Sequence, residues 1–545
     1  MRKYFVFFIF IMSISFYGHA QNYISADNSI SNTFLQNQLE RQYHQKASND
    51  LVFSRRPFLL VPGENEYDSL MRSVFESGNP SENFIKNTFR NGNMLQYISE
   101  DSIARITFNP LLDFSVGRSS GRATYERTVG FKLDIRVGKK VVVSASDYES
   151  TAKFTGYVQH YIDSLKVVPG MGAARKDADG SINYGLPLAR VAYQPNKTFY
   201  FELGNDKNFI GSGHRSLLLS DMAYAYPYFK IVTNLGNFKY MNLWGQFIDR
   251  IPGDTLFHGV GYEKKYGAFN YLTFTGIKKL QLSLFQAIIW RNRDSLGNPR
   301  DQEWGYFLPV IYLNTLNFNN GSPDNSLIGF DGNYMAGKQT MVYTQLVIDD
   351  LNFSKLLKNG KFSGFLQEKY GIQLGVKAYD PLGLKNGFIQ LEFNTVRPYV
   401  YANKIPSINY GHYGEALAHP LGANFREFLL LASYRYKRFL FEGELMYANY
   451  GSDSANSDWG KNINKSDYDA SMGLFSSGNK TGQGIKTDLL YGNFTVNLLM
   501  NPVTNSRFTL GVLYRKETLQ NIKVNLDQMI YIGFSTNLIN KTTDF

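Results

Sequence analysis

From about residue 103 the chain alternates apolar and polar side chains with a period of two. In the stretch 129–137, Val129, Phe131, Leu133, Ile135 and Val137 fall on one face, and Gly130, Lys132, Asp134 and Arg136 on the other. An extended strand with one face in hydrocarbon and the other in water reads this way. The pattern recurs. Ile372, Leu374 and Val376 alternate with Gln373 and Lys377, and Ile389, Leu391 and Phe393 with Gln390, Glu392 and Asn394. Phe439, Phe441 and Leu445 alternate with Glu442 and Glu444, and Ile530, Ile532 and Phe534 with Tyr531 and Ser535. Roughly eighteen such segments can be counted, within about two either way.

The connections between them alternate in length. Short turns are expected at Gly138-Lys139, Pro195 to Lys197, Gly236-Asn237, Gly276-Ile277, Met335 to Lys338, Pro381 to Asn386, Lys437-Arg438 and Asn501 to Asn505. Longer loops are expected at 153–185, 206–225, 250–264, 291–325, 351–369, 397–424, 449–483 and 516–527. This rhythm predicts an all-β membrane barrel of antiparallel strands over 101–545, with short turns in the periplasm and long loops outside. An even strand number leaves both ends of the chain in the periplasm. The final Phe545 matches the terminal aromatic of barrels handed to the outer-membrane assembly machinery.

Residues 21–100 carry a different period. Ile30, Phe34, Leu35, Leu39 and Tyr43 share a helical face, as do Tyr67, Leu70, Met71 and Val74. Phe84, Ile85 and Phe89 form a third face after Ser81, a plausible N-cap. The expectation is a small periplasmic helical region, with plugging of the barrel as its alternative. Residues 1–20 read as a secretory signal peptide. Arg2 and Lys3 precede an apolar run from Tyr4 to Phe16, and Gly18-His19-Ala20 offers a small-x-small cleavage site.

Composition sharpens the picture. Aromatics reach 15% and charged residues only 19%, a balance that suits strands facing lipid. Beyond the signal peptide no apolar run is long enough for a transmembrane helix. Cysteine is absent, so there are no disulfides, thiolate metal sites or cysteine nucleophiles. Loss of Arg2 and Lys3 with the signal lowers the net charge from +11 to +9. The basic residues are scattered and the chain is exported, which argues against nucleic acid.

Candidate chemistry gathers in two loops. The first runs from Glu202 to Asp206 and on through Gly211-Ser-Gly-His-Arg-Ser to Asp221. Gly211 and Gly213 permit close backbone approach and offer N–H donors, His214 and Arg215 add charged donors, and Asp221 an acceptor. The set suits a carboxylate, phosphate or sugar. Equally, it suits an inward-folded loop pinned by Arg215 to a luminal carboxylate such as Glu202. No Gly-Lys-Ser/Thr follows, so it is not a nucleotide loop. The second holds Arg397, Tyr399 and Tyr401, then His412, Tyr413 and Glu415, then His419 and Asn424. Tyrosine rings interleaved with planar polar groups suit a carbohydrate surface, since rings stack on sugar C–H faces and forked groups take hydroxyls. Packing of the loop upon itself is the plainer alternative. His412, Glu415 and His419 do not have a zinc spacing, and no metal or cofactor is expected. No G-x-S-x-G elbow is present, so no enzyme is expected.

In these two loops the strings ELGNDKNFIGSGHRSLLLSD, RPYVY and YGHYGEALAHPLGANF resemble the Wzi-type capsule-assembly outer-membrane proteins. The branch resembled includes gliding-motility-associated relatives. The resemblance extends over about residues 30–545. It implies an eighteen-stranded barrel with periplasmic helices, and a surface lectin that tethers exported polysaccharide without catalysis. The motif positions carried over are Gly211, Gly213, Arg215, Asp221, Arg397, Tyr399, Tyr401, His412, Glu415, His419 and Asn424. The expected partners are capsular or exopolysaccharide, outer-membrane lipid, the assembly machinery and other cell-surface proteins. A porin or transport channel is the contrasting function, motivated by a polar lumen with Lys132, Asp134, Glu392, Glu442 and Glu444. A motility or adhesion accessory is the third.

Overall fold

Alternation over twelve or more residues fixes long strands whose two faces meet different surroundings, and closure is how such a sheet loses its edges. A computed structural model shows this closure. It describes residues 93–545 except 102, 139, 250–261, 294–297, 301–302, 312–323, 352–367, 455–456, 469–477, 502–503, 521–522, 537–540 and 542. Ahead of these it describes 24–25, 54–56 and 59–60. The signal peptide and the three helical faces expected before residue 93 lie outside the described residues. What is described there is short strand: Ile24–Ser25 pairs with Leu59–Leu60, Arg55–Arg56 with Phe209–Ile210, and Leu95–Ile98 with the first wall strand.

The wall is a closed antiparallel barrel of eighteen strands. In order they are β1 Ala104–Ser119, β2 Arg122–Val137, β3 Val141–Lys153, β4 Ile182–Gly185 continued as Leu188–Tyr193, β5 Phe199–Asp206 and β6 Tyr226–Leu235. Then come β7 Phe238–Asp249, β8 Glu263–Ile277, β9 Leu280–Arg291, β10 Asn325–Ala336, β11 Thr340–Leu351 and β12 Glu368–Tyr379. The last six are β13 Gly387–Val396, β14 Phe425–Tyr436, β15 Phe439–Ser452, β16 Ile485–Asn501, β17 Ser506–Leu519 and β18 Lys523–Ser535. Closure is made by β18 on β1, from Met529 opposite Ser119 to Ser535 opposite Asp113.

Short connections do alternate with long ones. The turn expected at Gly276-Ile277 falls instead at Lys278-Lys279. A larger correction concerns 516–527. This stretch is not a loop, because β17 and β18 continue through it and leave only 520–522 between them. Val524 and Leu526 stand exposed on its outer face in phase with Ile530, but Lys516, Glu517, Lys523 and Asn525 break up the apolar pattern that would mark a strand. The β1–β2 connection at the same end is as tight, with only Ser120 and Gly121 between the strands.

The outer face is apolar along the wall. Val116, Leu203 and Ile530 stay more than half exposed, and Phe131, Leu374 and Phe428 are exposed beside them. Such a belt is stable against hydrocarbon rather than water. Among the described residues no helix is long and apolar enough to cross a membrane. A ten-residue helix, α1 (Gly156–Leu165), lies in the β3–β4 loop and ends at Lys166 in the left-handed conformation.

Candidate functional site

Two long loops, 207–225 and 397–424, turn into the barrel instead of standing above it. The sequence of the first explains why. Leu217, Leu218 and Leu219 are consecutive and apolar, a loop of that kind needs cover, and all three are fully buried. Backbone polar groups carried inward with them must be satisfied, and luminal side chains do it. Glu392 accepts the backbone N–H of His214 at 2.8 Å and of Arg215 at 3.1 Å. Gln373 donates to the Arg215 carbonyl at 3.0 Å. Gln345 accepts the Leu217 N–H at 2.9 Å and donates to the Ile210 carbonyl at 3.0 Å. Tyr401 and Tyr410, from the second loop, donate their hydroxyls to the carbonyls of Leu217 and Leu218 at 2.8 and 2.5 Å. Residues 54–56 join this assembly, with Arg56 donating to the Gly213 carbonyl at 2.6 Å and lying 3.8 Å over the Phe209 ring.

Glycine is required where the backbone meets these side chains. A Cβ on Gly213 would come within 2.6 Å of both the Arg215 carbonyl and Glu392 Oε2, and one on Gly211 within 2.4 Å of Gln345. Gly211 also has φ +145°.

Arg215 is the charged centre of the inward loops. Its guanidinium meets Asp544 at 2.6 Å and Glu427 at 3.5 Å, with all three side chains at most 6% exposed. Burial opposes its charge, but Asp544 and Glu427 outweigh burial and hold it protonated. The expected pairing with Glu202 is corrected here. Glu202 faces Lys230 at 2.6 Å, along with Tyr200 and Tyr228, and is taken up within the wall. Asp544 belongs to a described end segment, Lys541 and Thr543 to Phe545, which lies inside the lumen beyond β18. Lys541 pairs with Asp113 at 2.8 Å and with Glu126, Tyr157 donates to the Thr543 carbonyl at 2.8 Å, and Arg515 donates to the Phe545 carbonyl at 3.0 Å. The Phe545 ring packs 4.6 Å from that of Tyr161 on α1. Phe545 therefore sits in the lumen and not on the last strand.

The other sequence-chosen residues are mostly buried as well. His419 Nδ1 accepts the Leu421 N–H at 3.2 Å, so Nε2 carries the proton toward Glu427 at 2.9 Å. His412 Nδ1 accepts the Ile248 N–H at 2.9 Å, and its ring lies among those of Tyr224, Tyr226 and Phe247. Burial pushes the His412 pKa down to about 3 and lowers that of His419. Burial pushes Glu415 up to about 7, although the Gly170 N–H at 2.9 Å and the Tyr161 hydroxyl at 3.0 Å both donate to it. Asn424, at φ +60°, accepts the Gly482 N–H at 2.7 Å and donates to the Gln483 carbonyl at 2.8 Å. Tyr399 and Tyr401 also have positive φ, 67° and 71°. Their hydroxyls donate to the carbonyls of Asp458 and Leu217, and these bonds offset a conformation that costs a residue of this kind roughly 1–2 kcal/mol. Arg397 is half-buried, donates to the Glu368 carbonyl at 2.7 Å and lies 5.4 Å over the Tyr370 ring.

His214, Tyr413 and Asp221 are only partly buried. Tyr413 stands in a ring cluster that the sequence did not single out, 5.2 Å from Tyr224 and 5.9 Å from Tyr262. Both neighbours are half-buried, and they lie outside the strings that drew attention. Tyr468, exposed under Lys404 at 4.6 Å, was missed too. His412, Glu415 and His419 have separate partners and do not converge. Among the described residues, His214, Glu444 and Asp544 do come within metal-binding reach of one another. Arg215 already occupies Asp544 at that point.

Beside the inward loops a cavity of about 450 Å³ remains in the lumen. It is lined from β1–β2 and β14–β18 and roofed by Tyr157, Met171 and His214.

No family model and no curated protein matches the chain. Among solved structures it is similar to Wzi, an outer-membrane protein involved in group 1 capsule assembly in Escherichia coli and described as a carbohydrate-binding β-barrel. The identity is 12%, the match covers 96% of this chain and 100% of that one, and the TM-score is 0.53. OprD of Pseudomonas aeruginosa matches at 8% identity over 79% of this chain and 94% of that one, with a TM-score of 0.41. OpdK of Pseudomonas aeruginosa, solved with vanillate, matches at 11% identity over 79% and 98%, with a TM-score of 0.42. The chain thus shares the barrel fold of Wzi along nearly its whole length, at an identity that carries fold and not ligand.

Proposed function

We propose that this protein sits in the outer membrane of a Gram-negative bacterium, with its long-loop end outward, and binds or organises exported capsular or exopolysaccharide without catalysis. One observation carries the reading: the lumen is filled by its own loops, cross-linked through Arg215, Glu427 and Asp544. A diffusion channel needs that space, and a tether does not. The likeness in fold to a carbohydrate-binding barrel supports the same reading.

The thirteen sequence-chosen residues then divide by task. The buried ones hold the loops in place, and the partly open Tyr413, with Tyr224 and Tyr262, offers ring faces and hydroxyls at the loop end. Cells lacking the protein are washed and their attached polysaccharide measured. The expected result is loss of retention on deletion, partial loss in Tyr413→Ala with Tyr262→Ala, and no steady conductance of the refolded protein in planar bilayers. Unchanged retention with a large open conductance would replace this reading with a porin.

A further inference from the structure

The luminal cavity is lined by residues other than the Tyr413 ring cluster, and its lining has a chemistry of its own. Ser433, Asn497, Arg507 and Ser535 all lie on wall strands within a few residues of the short turns. The roof, by contrast, is α1 and the inward loop. Thr124, Glu126 and Lys153 stand near the loop-end connections of β2 and β3, so the cavity runs along the lumen beside the filled loops.

Its charges are mutually cancelled. Lys541 is held by Asp113 and Glu126, Arg507 faces Glu442 at 3.6 Å, and Lys153 faces Asp179 at 3.3 Å. Carboxylates equal or outnumber the cations, so an acidic ligand meets no free positive charge. What remains is rings and hydroxyls. Tyr157, Tyr184, Tyr491 and Tyr531 line the space. Asn493, Thr495 and Asn497 add polar side chains to the lining. A mixed lining of rings and polar groups suits a hydroxyl-rich occupant better than an apolar one. The volume falls within the roughly 300–1,000 Å³ usual for small-ligand sites.

We propose that this cavity is a second binding site, which takes a short uncharged saccharide segment. The class of ligand rests on the carbohydrate reading above; the place does not. In the cell this would let the barrel hold a neutral stretch of glycan within the lumen while its loops engage polymer outside.

The full chain, refolded in detergent, is titrated by calorimetry with neutral trisaccharides of glucose, xylose and mannose, and with trigalacturonic acid. Binding of at least one neutral trisaccharide is expected, and no binding of the acidic one. Thr495→Trp, which projects a large ring into the cavity, should weaken that binding at least about tenfold. Unchanged heat-modifiable mobility on gels keeps the variant comparable with the parent. Failure of every neutral probe, equal binding of trigalacturonate, or binding untouched by Thr495→Trp overturns the proposal. The cell-retention assay separates the two readings. Retention lost on deletion but intact in Thr495→Trp, with no trisaccharide bound, leaves the surface reading standing and removes this one. Trisaccharide binding abolished by Thr495→Trp, with retention indifferent to deletion, does the reverse.

Discussion

The two sides of the barrel interior are filled by different means. Against β5–β14 the lumen is occupied by loops of 207–225 and 397–424, with fully buried leucines and tyrosines whose polar atoms are paired one by one. Against β17–β18 and β1–β2 the loop-end connections are 520–522 and 120–121. Turns that short cannot reach the lumen. There the space is filled by α1 and by Lys541 and residues 543–545, and a cavity is left. Loop length thus decides which part of a closed wall becomes a packed interior and which part stays available to a ligand. It also predicts where a substitution is costly.

Arg215→Ala should have the largest effect, because it strands Glu427 and Asp544 in a buried place. Breaking such a pair typically costs about 3–5 kcal/mol. The midpoint of urea unfolding in detergent should fall accordingly, and the heat-resistant folded band should weaken. A shift of a few tenths would mean that water already enters the centre, and the contrast between the two sides would fail.

Gly213→Ala probes the same side without touching charge. The new methyl meets a carbonyl, Glu392 and Gln373 within 2.7 Å. Overpacking of this sort costs roughly 1–3 kcal/mol. The expected signature is local: faster proteolysis within 207–225 and flickering conductance, while the barrel itself stays folded.

How much of this was legible in the sequence depended on whether the cause was local. The wall was, since a period of two and turn residues such as Gly236-Asn237 act over a few positions. The loop strings marked where polar chemistry concentrates, and the Leu217–Leu219 triplet was a signal for an inward loop, since nothing else would cover it. The partners were not legible. Asp544 reaches Arg215 across 329 positions, and no spacing rule connects them. The exchange of Glu202 for Asp544 follows from that. Tyr224 and Tyr262 escaped notice because they lie on different loops, and they meet Tyr413 only once the loops fold together.

Glu415 adds a pH test to the loop side. Its folded pKa, about 7, lies above the ordinary 4.5 of a glutamate. Between those values the folded state keeps a proton that the unfolded chain has lost, so stability falls as pH rises through this window. His412, displaced downward to about 3, acts the other way between pH 3 and 6.5. Glu415→Gln removes the first effect alone. The variant should gain on the parent by about 2 kcal/mol at pH 8 and lose that advantage near pH 4. Parallel stability curves for the two proteins would show that this carboxyl is solvated and the loops are loosely seated.

Lys541→Met should have the smallest effect on stability and the clearest effect on the other side. Lys541 is 27% exposed and already lies between two carboxylates, so removing it costs on the order of 1 kcal/mol at most. Among the described residues, the other holds on this end segment are the Tyr157 hydroxyl, Arg515, Arg215, His214 and the packing of Phe545 on α1. Loosening one of them should widen the cavity before it unfolds the wall. Small, frequent conductance steps are expected with an unchanged urea midpoint, the inverse of the Arg215→Ala result. If Lys541→Met instead unfolds as readily as Arg215→Ala and stays silent in the bilayer, the tail is as much part of the packed interior as the loops are. Loop length would then not be what divides the lumen.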